Sequence, residues 1–289
     1  MTTVRESVRS VFELLIATYD NWRSDRAIRL GAALAYYAVF AAIPLLTSAI
    51  AIAGLVFSAA EIQSFVIESL EALVPDVSPD VRNLVDTLAA TVDRPSTTSG
   101  MATLSVFLGI FAASLLFVAM QDSFNMIWKI PVQRGFQHSL QRKIVAFGVV
   151  LLTGAVLMAS LVVQTVVLLV DEILGGNIEA FDAFDDLFVG LTTWGLGVAA
   201  LGVLFQLLIR EHLTWRYVFI AATVTGALMV VGTWAAGVYF SNWGSTSLTG
   251  VFSGVLIVLT WFYFLAQILI AGAELLKTLE DRLRAAAAT

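Results

Sequence analysis

The chain alternates long apolar runs with short polar breaks. The first run, Leu30 to Phe57, contains no charged residue, and its side-chain hydrogen-bonding groups are confined to Tyr36, Tyr37, Thr47 and Ser48. As a helix it would be roughly 42 Å long, against a bilayer hydrocarbon thickness of about 30 Å. Five further runs follow, so six membrane-spanning helices are predicted at about 30–57, 101–121, 144–170, 187–209, 217–240 and 250–273. Pro44 sits inside the first, where it removes one backbone hydrogen bond and is expected to kink the helix.

The polar breaks have patterns of their own. In residues 3–22, Val4, Val8, Val11, Phe12, Leu15, Tyr19 and Trp22 recur at helical spacing. This amphipathic helix suits the membrane interface, and equally a position packed against the ends of the spans. Between the first two spans, Ser58 to Glu61 matches a capping box, and Ser78 with Pro79 marks a second helix start. Two short amphipathic helices are expected there, at about 60–74 and 79–93. Residues 171–186 read as an acidic loop, 210–216 as a tight turn and 241–249 as an uncharged loop.

Charge orients this all-α bundle. Six spans put both termini on one side, and that side holds 14 of the 16 Lys and Arg residues; the other holds Arg82 and Arg94. The positive-inside rule therefore predicts cytoplasmic termini in a multi-pass plasma-membrane protein forming a single membrane domain over residues 1–289. The far side carries 13 acids in segments 58–100 and 171–186.

Composition agrees with a lipid-solvated chain: 59% of residues are hydrophobic and 13% charged, where a soluble domain carries about 25% charged. Net charge is −6, with three lysines against 13 arginines. Acidic bias with little lysine points to a halophilic prokaryote; a GC-rich genome replacing Lys with Arg accounts for the lysine count alone. There are no cysteines and only two histidines, His138 and His212. Disulfides and thiolate chemistry are excluded, and no cofactor or metal site is expected. Residues 1–28 lack the apolar core of a cleavable signal.

Candidate chemistry lies where polar groups meet the bilayer, because ionisable residues there are expensive. Asp122 and Asn125 close the second span, Glu274 closes the sixth, and Arg26 and Arg29 precede the first. They form either a polar site at the inner mouth or a set of ion pairs and caps locking the bundle. Tyr36, Tyr37, Gln164, Gln206 and Gln267 lie deeper. They could line a polar path or serve as interhelical hydrogen bonds. Small residues at four-residue spacing (Gly31/Ala35, Gly195/Ala199, Ala222/Gly226, Gly232/Ala236, Gly250/Gly254) offer close helix contacts. No hydrolase constellation or phosphate-binding glycine loop is present, and the cytoplasmic face has no dense basic patch for nucleic acid.

Three segments together resemble the YihY/BrkB family of membrane proteins: Ala32 to Leu46 in the first span, Phe124 to Ile130 followed by Arg134 after the second, and Leu259 to Leu275 in the last. The last includes Trp261, Tyr263, Gly272, Ala273 and Glu274 in the family's order. The resemblance runs from about residue 12 to 284. One departure is Ser247-Leu248-Thr249-Gly250, where the family often has a Tyr-Gly pair. The resemblance implies a six-span protein that has carried two labels, tRNA-processing ribonuclease and virulence factor, with transport a third assignment. The expectation is a non-enzymatic membrane protein, a transporter or exporter of a small or lipid-like solute. The alternatives are an envelope-assembly protein acting through its external segments and, remotely, a membrane-associated ribonuclease.

Overall fold

The computed structural model describes residues 2–53, 98–130, 179–209, 213–243 and 251–287, with isolated positions between 58 and 86. Among the described residues six helices occur in chain order: α1 (Thr2–Ser24), α2 (Ala27–Ala53), α3 (Thr98–Ile127), α4 (Glu179–Leu208), α5 (Trp215–Trp243) and α6 (Val251–Ala287). No strand occurs among the described residues.

Among the described residues four stretches are long and apolar enough to cross a membrane: Ala27–Leu45, Phe107–Ile127, Trp215–Val238 and Val258–Ala285. They fall on expected spans one, two, five and six. The shorter apolar stretch Trp194–Leu208 falls on the fourth. The expected third span at 144–170 lies outside the described residues. So do nearly all of the two amphipathic helices at 60–74 and 79–93; one described contact joins them, Gln63 Nε2 donating to Asp86 Oδ1 at 2.6 Å.

One expectation is corrected. Helix α4 begins at Glu179, so residues 179–186 of the expected acidic loop are helical. That stretch, Glu-Ala-Phe-Asp-Ala-Phe-Asp-Asp, holds neither Gly nor Pro, and Asp and Phe oppose a helix only weakly, so nothing there stops one; polarity alone reads as a loop. Helix α6 runs unbroken from the sixth expected span through Glu274 to Ala287. Helix α2 also continues through Pro44. There the Pro44 carbonyl accepts from Ser48 Oγ at 2.6 Å and Thr47 Oγ1 at 3.0 Å.

The chain divides into two compact units. The first comprises Met1–Asp25, Gln121–Ala227 and Leu269–Thr289; the second comprises Arg26–Met120 and Leu228–Ile268. In the second unit, Gly109 of α3 faces Ser48 and the Pro44 carbonyl of α2. A Cβ at 109 would stand 2.6 Å from Ser48 Cβ. Gly31 of α2 meets Gln267 of α6, and Gly232 of α5 meets Ile268 and Phe264 of α6. The outward faces are as apolar as the core: Ile43, Phe107 and Trp234 are 65–70% exposed. In water such surface would drive aggregation; in lipid it is the ordinary condition.

In the first unit, Phe124 of α3 packs against Phe205 of α4 with tilted rings, their centroids 5.9 Å apart. Gly202 of α4 lies against Val218 and Ala222 of α5, and Gly226 of α5 lies against Val198 of α4. Gly272 of α6 is closed against Thr225 of α5. Two of the expected small-residue pairs thus mark close approaches through Gly226 and Gly232, and a third through Gly31. Gly195 does not mark one, since a Cβ there would meet nothing within 4 Å.

Helix α1 joins this unit along the end of α6. Asn21 Nδ2 donates to Thr278 Oγ1 at 3.2 Å and Arg282 donates to the Ser10 carbonyl at 3.3 Å. Its stripe of Phe12, Leu15, Ile16 and Tyr19 stays exposed. Of the two sequence-based placements of α1, packing against the bundle is seen along one edge, while the apolar stripe stays exposed.

Candidate functional site in the first unit

Two helix ends and the body of a third helix build the site. Helix α1 stops at Ser24, with the Asp25 amide donating to the Asn21 carbonyl at 2.9 Å. Arg26 follows with φ 57°, the left-handed geometry that reverses the chain after a helix. Helix α3 ends in the same way at Lys129, with φ 54°. Here Ile130 N donates to the Asn125 carbonyl at 2.9 Å and Lys129 N to the Met126 carbonyl at 3.2 Å. That is the paired hydrogen-bond pattern of a Schellman cap. It fixes the backbone of Asn125 and accounts physically for the segment Phe124 to Ile130.

The third contributor, α6, carries Glu274, Lys277, Thr278 and Glu280. Lys277 Nζ pairs with Asp25 Oδ2 at 2.9 Å, both side chains 13% exposed. Glu280 is buried and its Oε1 accepts the Thr214 amide at 2.6 Å, just ahead of α5. Thr278 Oγ1 donates to the Glu274 carbonyl at 2.8 Å.

Glu274 differs from these neighbours. Its side chain is fully buried; its carboxyl faces that of Asp25 at hydrogen-bonding distance, and neither oxygen accepts from an N–H or a hydroxyl among the described residues. The charged groups acting on it are Lys277, Asp25 and Lys129. An acid held out of water without hydrogen bonds is costly unless a charge compensates it. Gln121 and Asn125 are also buried, each with its side-chain oxygen unpartnered among the described residues. Gln206, next to the Phe205 ring, adds another such oxygen.

Of the five residues expected at the inner mouth, Asp122, Asn125 and Glu274 fall in this unit. Arg26 and Arg29 belong to the other unit and are exposed. The expected polar path is divided: Gln206 lies in the first unit, and Tyr36, Tyr37 and Gln267 in the second. Tyr36 and Tyr37 are exposed, Tyr36 with its ring 4.6 Å from Phe40. Gln267 donates weakly to the Ala27 and Ile28 carbonyls at 3.3 and 3.4 Å. Gln164 lies outside the described residues. Sequence pattern does not mark Asp25, Gln121, Lys277 or Glu280. The available signal is spacing: Gln121 lies one turn before Asn125, and Lys277 and Glu280 follow Glu274 at helical intervals.

The family profile described as Virulence factor BrkB matches residues 18–289. A UPF0761 membrane protein of Tolumonas auensis is 26% identical over 63% of this chain and 59% of its own length. Another from Pseudomonas paraeruginosa is 25% identical over 96% of this chain and 65% of its own. A third, from Acinetobacter baylyi, is 22% identical over 91% of this chain and 61% of its own. The chain thus spans about three fifths of the length of these curated relatives. No solved structure matches it. With the profile covering nearly the whole sequence and the apolar helices arranged as described, the chain is a membrane protein that belongs to the BrkB family.

Proposed function

We propose that this protein is a non-enzymatic six-span carrier or exporter of a small or lipid-like solute, with both termini in the cytoplasm. The observation carrying the reading is Glu274: a fully buried carboxyl that accepts from no N–H or hydroxyl among the described residues and faces a second acid, Asp25, on a helix long and apolar enough to cross a membrane. A structural carboxyl in such a place would be paired or replaced by an apolar residue at a gain in stability. Retaining it beside a second acid, with one lysine between the two, fits a group that must receive something during a cycle. The split of Lys and Arg between the two sides of the chain supports the orientation. The lipid bilayer is its surroundings, and nucleic acid is not among its partners in this reading.

The test is complementation of a deletion strain with Glu274→Gln and Asp122→Asn at matched membrane abundance. Loss of the deletion phenotype's rescue is expected for Glu274→Gln. Full rescue by both variants would sink this site assignment. An envelope-assembly role predicts the reverse pattern, with deletion of 171–186 abolishing rescue and the span residues replaceable.

A further inference from the structure

Two contacts set the register of the end of α1 against α6. Asn21 Nδ2 donates to Thr278 Oγ1 at 3.2 Å, and Lys277 Nζ pairs with Asp25 Oδ2 at 2.9 Å. Asp25 lies one turn beyond Asn21, its amide on the Asn21 carbonyl. Glu274 lies one turn before Thr278, its carbonyl accepting from the Thr278 hydroxyl. The step from Asn21 to Asp25 therefore matches the step from Thr278 back to Glu274. That register brings the Asp25 and Glu274 carboxyls within hydrogen-bonding distance of each other.

Two carboxylates cannot hydrogen-bond, since neither has a hydrogen to give; the contact requires a proton. The surroundings offer Glu274 no other donor. Neither of its oxygens accepts from an N–H or a hydroxyl among the described residues, and Lys277 gives its hydrogen bond to Asp25. Burial keeps bulk water from substituting: Glu274 has no exposed surface, and the Asp25 and Lys277 side chains are 13% exposed. The charges acting on Glu274 are Lys277 on α6 itself, Asp25 at the end of α1, and the exposed Lys129 at the end of α3. Elsewhere in the unit, Glu280 is committed to the Thr214 amide, and Asp122 has an interaction of its own. At such low exposure one lysine neutralises one carboxylate and leaves the second uncompensated.

We propose that Asp25 and Glu274 form a proton-binding pair, one proton held between the two carboxyls, with Lys277 balancing the charge that remains. The two acids are not equivalent. Lys277 fixes the negative charge on Asp25, whereas nothing stabilises an ionised Glu274, so the proton sits on a Glu274 oxygen and is donated to Asp25. The loaded cluster is neutral. Release breaks the Glu274 O–H bond and passes the proton to water by way of Asp25, the member with exposed surface. It leaves two carboxylates beside one ammonium. This assignment deepens the carrier reading and rests on it for its purpose, as the coupling ion; proton binding itself is measurable without any solute.

The experiment uses the full chain purified in detergent and infrared difference spectra between neutral and alkaline buffer. The C=O stretch of a protonated carboxyl stands apart from the amide and carboxylate bands. The parent should lose one such band, with the amplitude of a single carboxyl, as the pH is raised, and gain carboxylate absorption in its place. Glu274→Gln should lack the band. Asp25→Asn should lack it too, because the amide can donate to Glu274 and leaves Lys277 as its counter-charge, so that Glu274 ionises. Glu13→Gln, which removes an exposed acid paired with Arg9, should keep it. A parent with no titrating protonated carboxyl overturns the pair. So does a band that survives in Asp25→Asn, which would put the proton on Glu274 alone, or in Glu274→Gln, which would put it on another acid such as Asp122. Those results would leave the carrier reading standing, because rescue by Glu274→Gln in the deletion strain decides it separately.

Discussion

Gly272 and Thr225 occupy a space that holds only one side chain. A Cβ built at Gly272 would lie 3.0 Å from Thr225 Cβ and 3.1 Å from its Cγ2, with Thr225 Oγ1 closer still. Thr225 has no exposed surface, and its hydroxyl is committed to the Ala221 carbonyl at 2.7 Å. The threonine therefore has no room to yield. Gly272→Ala is expected to destabilise the protein by about 1–3 kcal/mol through overpacking. Thr225→Gly should recover a large part of that loss in the double variant, since the two positions share one volume. Thermal melts of the four proteins in detergent give the coupling; strict additivity would show that the helices shift apart instead.

The contact also marks the limit of what sequence pattern reveals. Spacing of small residues within a helix identifies close faces, and Gly31, Gly226 and Gly232 were legible in this way. It cannot identify the partner across the contact, and it passes over Gly272, whose four-residue neighbours are Ile268 and Leu276 rather than small residues. The apolar runs were legible because lipid demands length and uniformity. Glu274 was legible because a charge ending such a run is rare. Gln121 was not, because a glutamine beside Asp122 looks like the ordinary polar end of a span. Asp25 was hidden among the charges of an amphipathic helix, and only the fold brings it to Lys277. The start of α4 was misread because its acids suggest solvent, and solvent exposure is compatible with helix.

Glu280 serves as an external acceptor for the chain entering α5. Its Oε1 takes the Thr214 amide at 2.6 Å, while the Thr214 carbonyl accepts from Tyr217 at 2.9 Å and Val218 at 3.1 Å. Glu280→Ala leaves that amide without its acceptor and is expected to cost about 1.5–3 kcal/mol. Glu280→Gln keeps an acceptor oxygen and should lose less. Hydrogen exchange should report the difference at the start of α5, with the Thr214 amide exchanging faster in the alanine variant. Equal exchange in all three proteins would show that the contact does not hold the turn.

In the second unit, Gly31 and Gln267 make a similar pair with a polar partner. A Cβ at Gly31 would stand 2.8 Å from Gln267 Cδ, and the amide nitrogen donates to the Ala27 and Ile28 carbonyls. Gln267 is a flexible side chain, so Gly31→Ala can be relieved by moving it, at the loss of those two long hydrogen bonds. The expected cost is about 1 kcal/mol, less than at Gly272. In the Gln267→Ala background Gly31→Ala should be nearly neutral. A large loss in that background would mean that the α2 backbone itself is confined.

Lys277 sits between two acids, and this gives the sharpest electrostatic test. It pairs with Asp25 at 2.9 Å, and it also acts on Glu274, as Asp25 does with the opposite sign. Lys277→Met removes the only cation paired with Asp25 among the described residues and leaves two carboxylates facing each other at low exposure. The expected destabilisation is about 2–4 kcal/mol, because an uncompensated charge near the interior costs more than the intact pair contributes. If repulsion from Glu274 is part of that loss, adding Glu274→Gln should restore at least about 1 kcal/mol. Adding Asp25→Asn should restore a comparable amount by the same argument. Unfolding midpoints in detergent for the single and double variants measure each coupling. A Lys277→Met loss unaffected by either second change would assign the role of Lys277 to the packing of its methylene stem rather than to its charge.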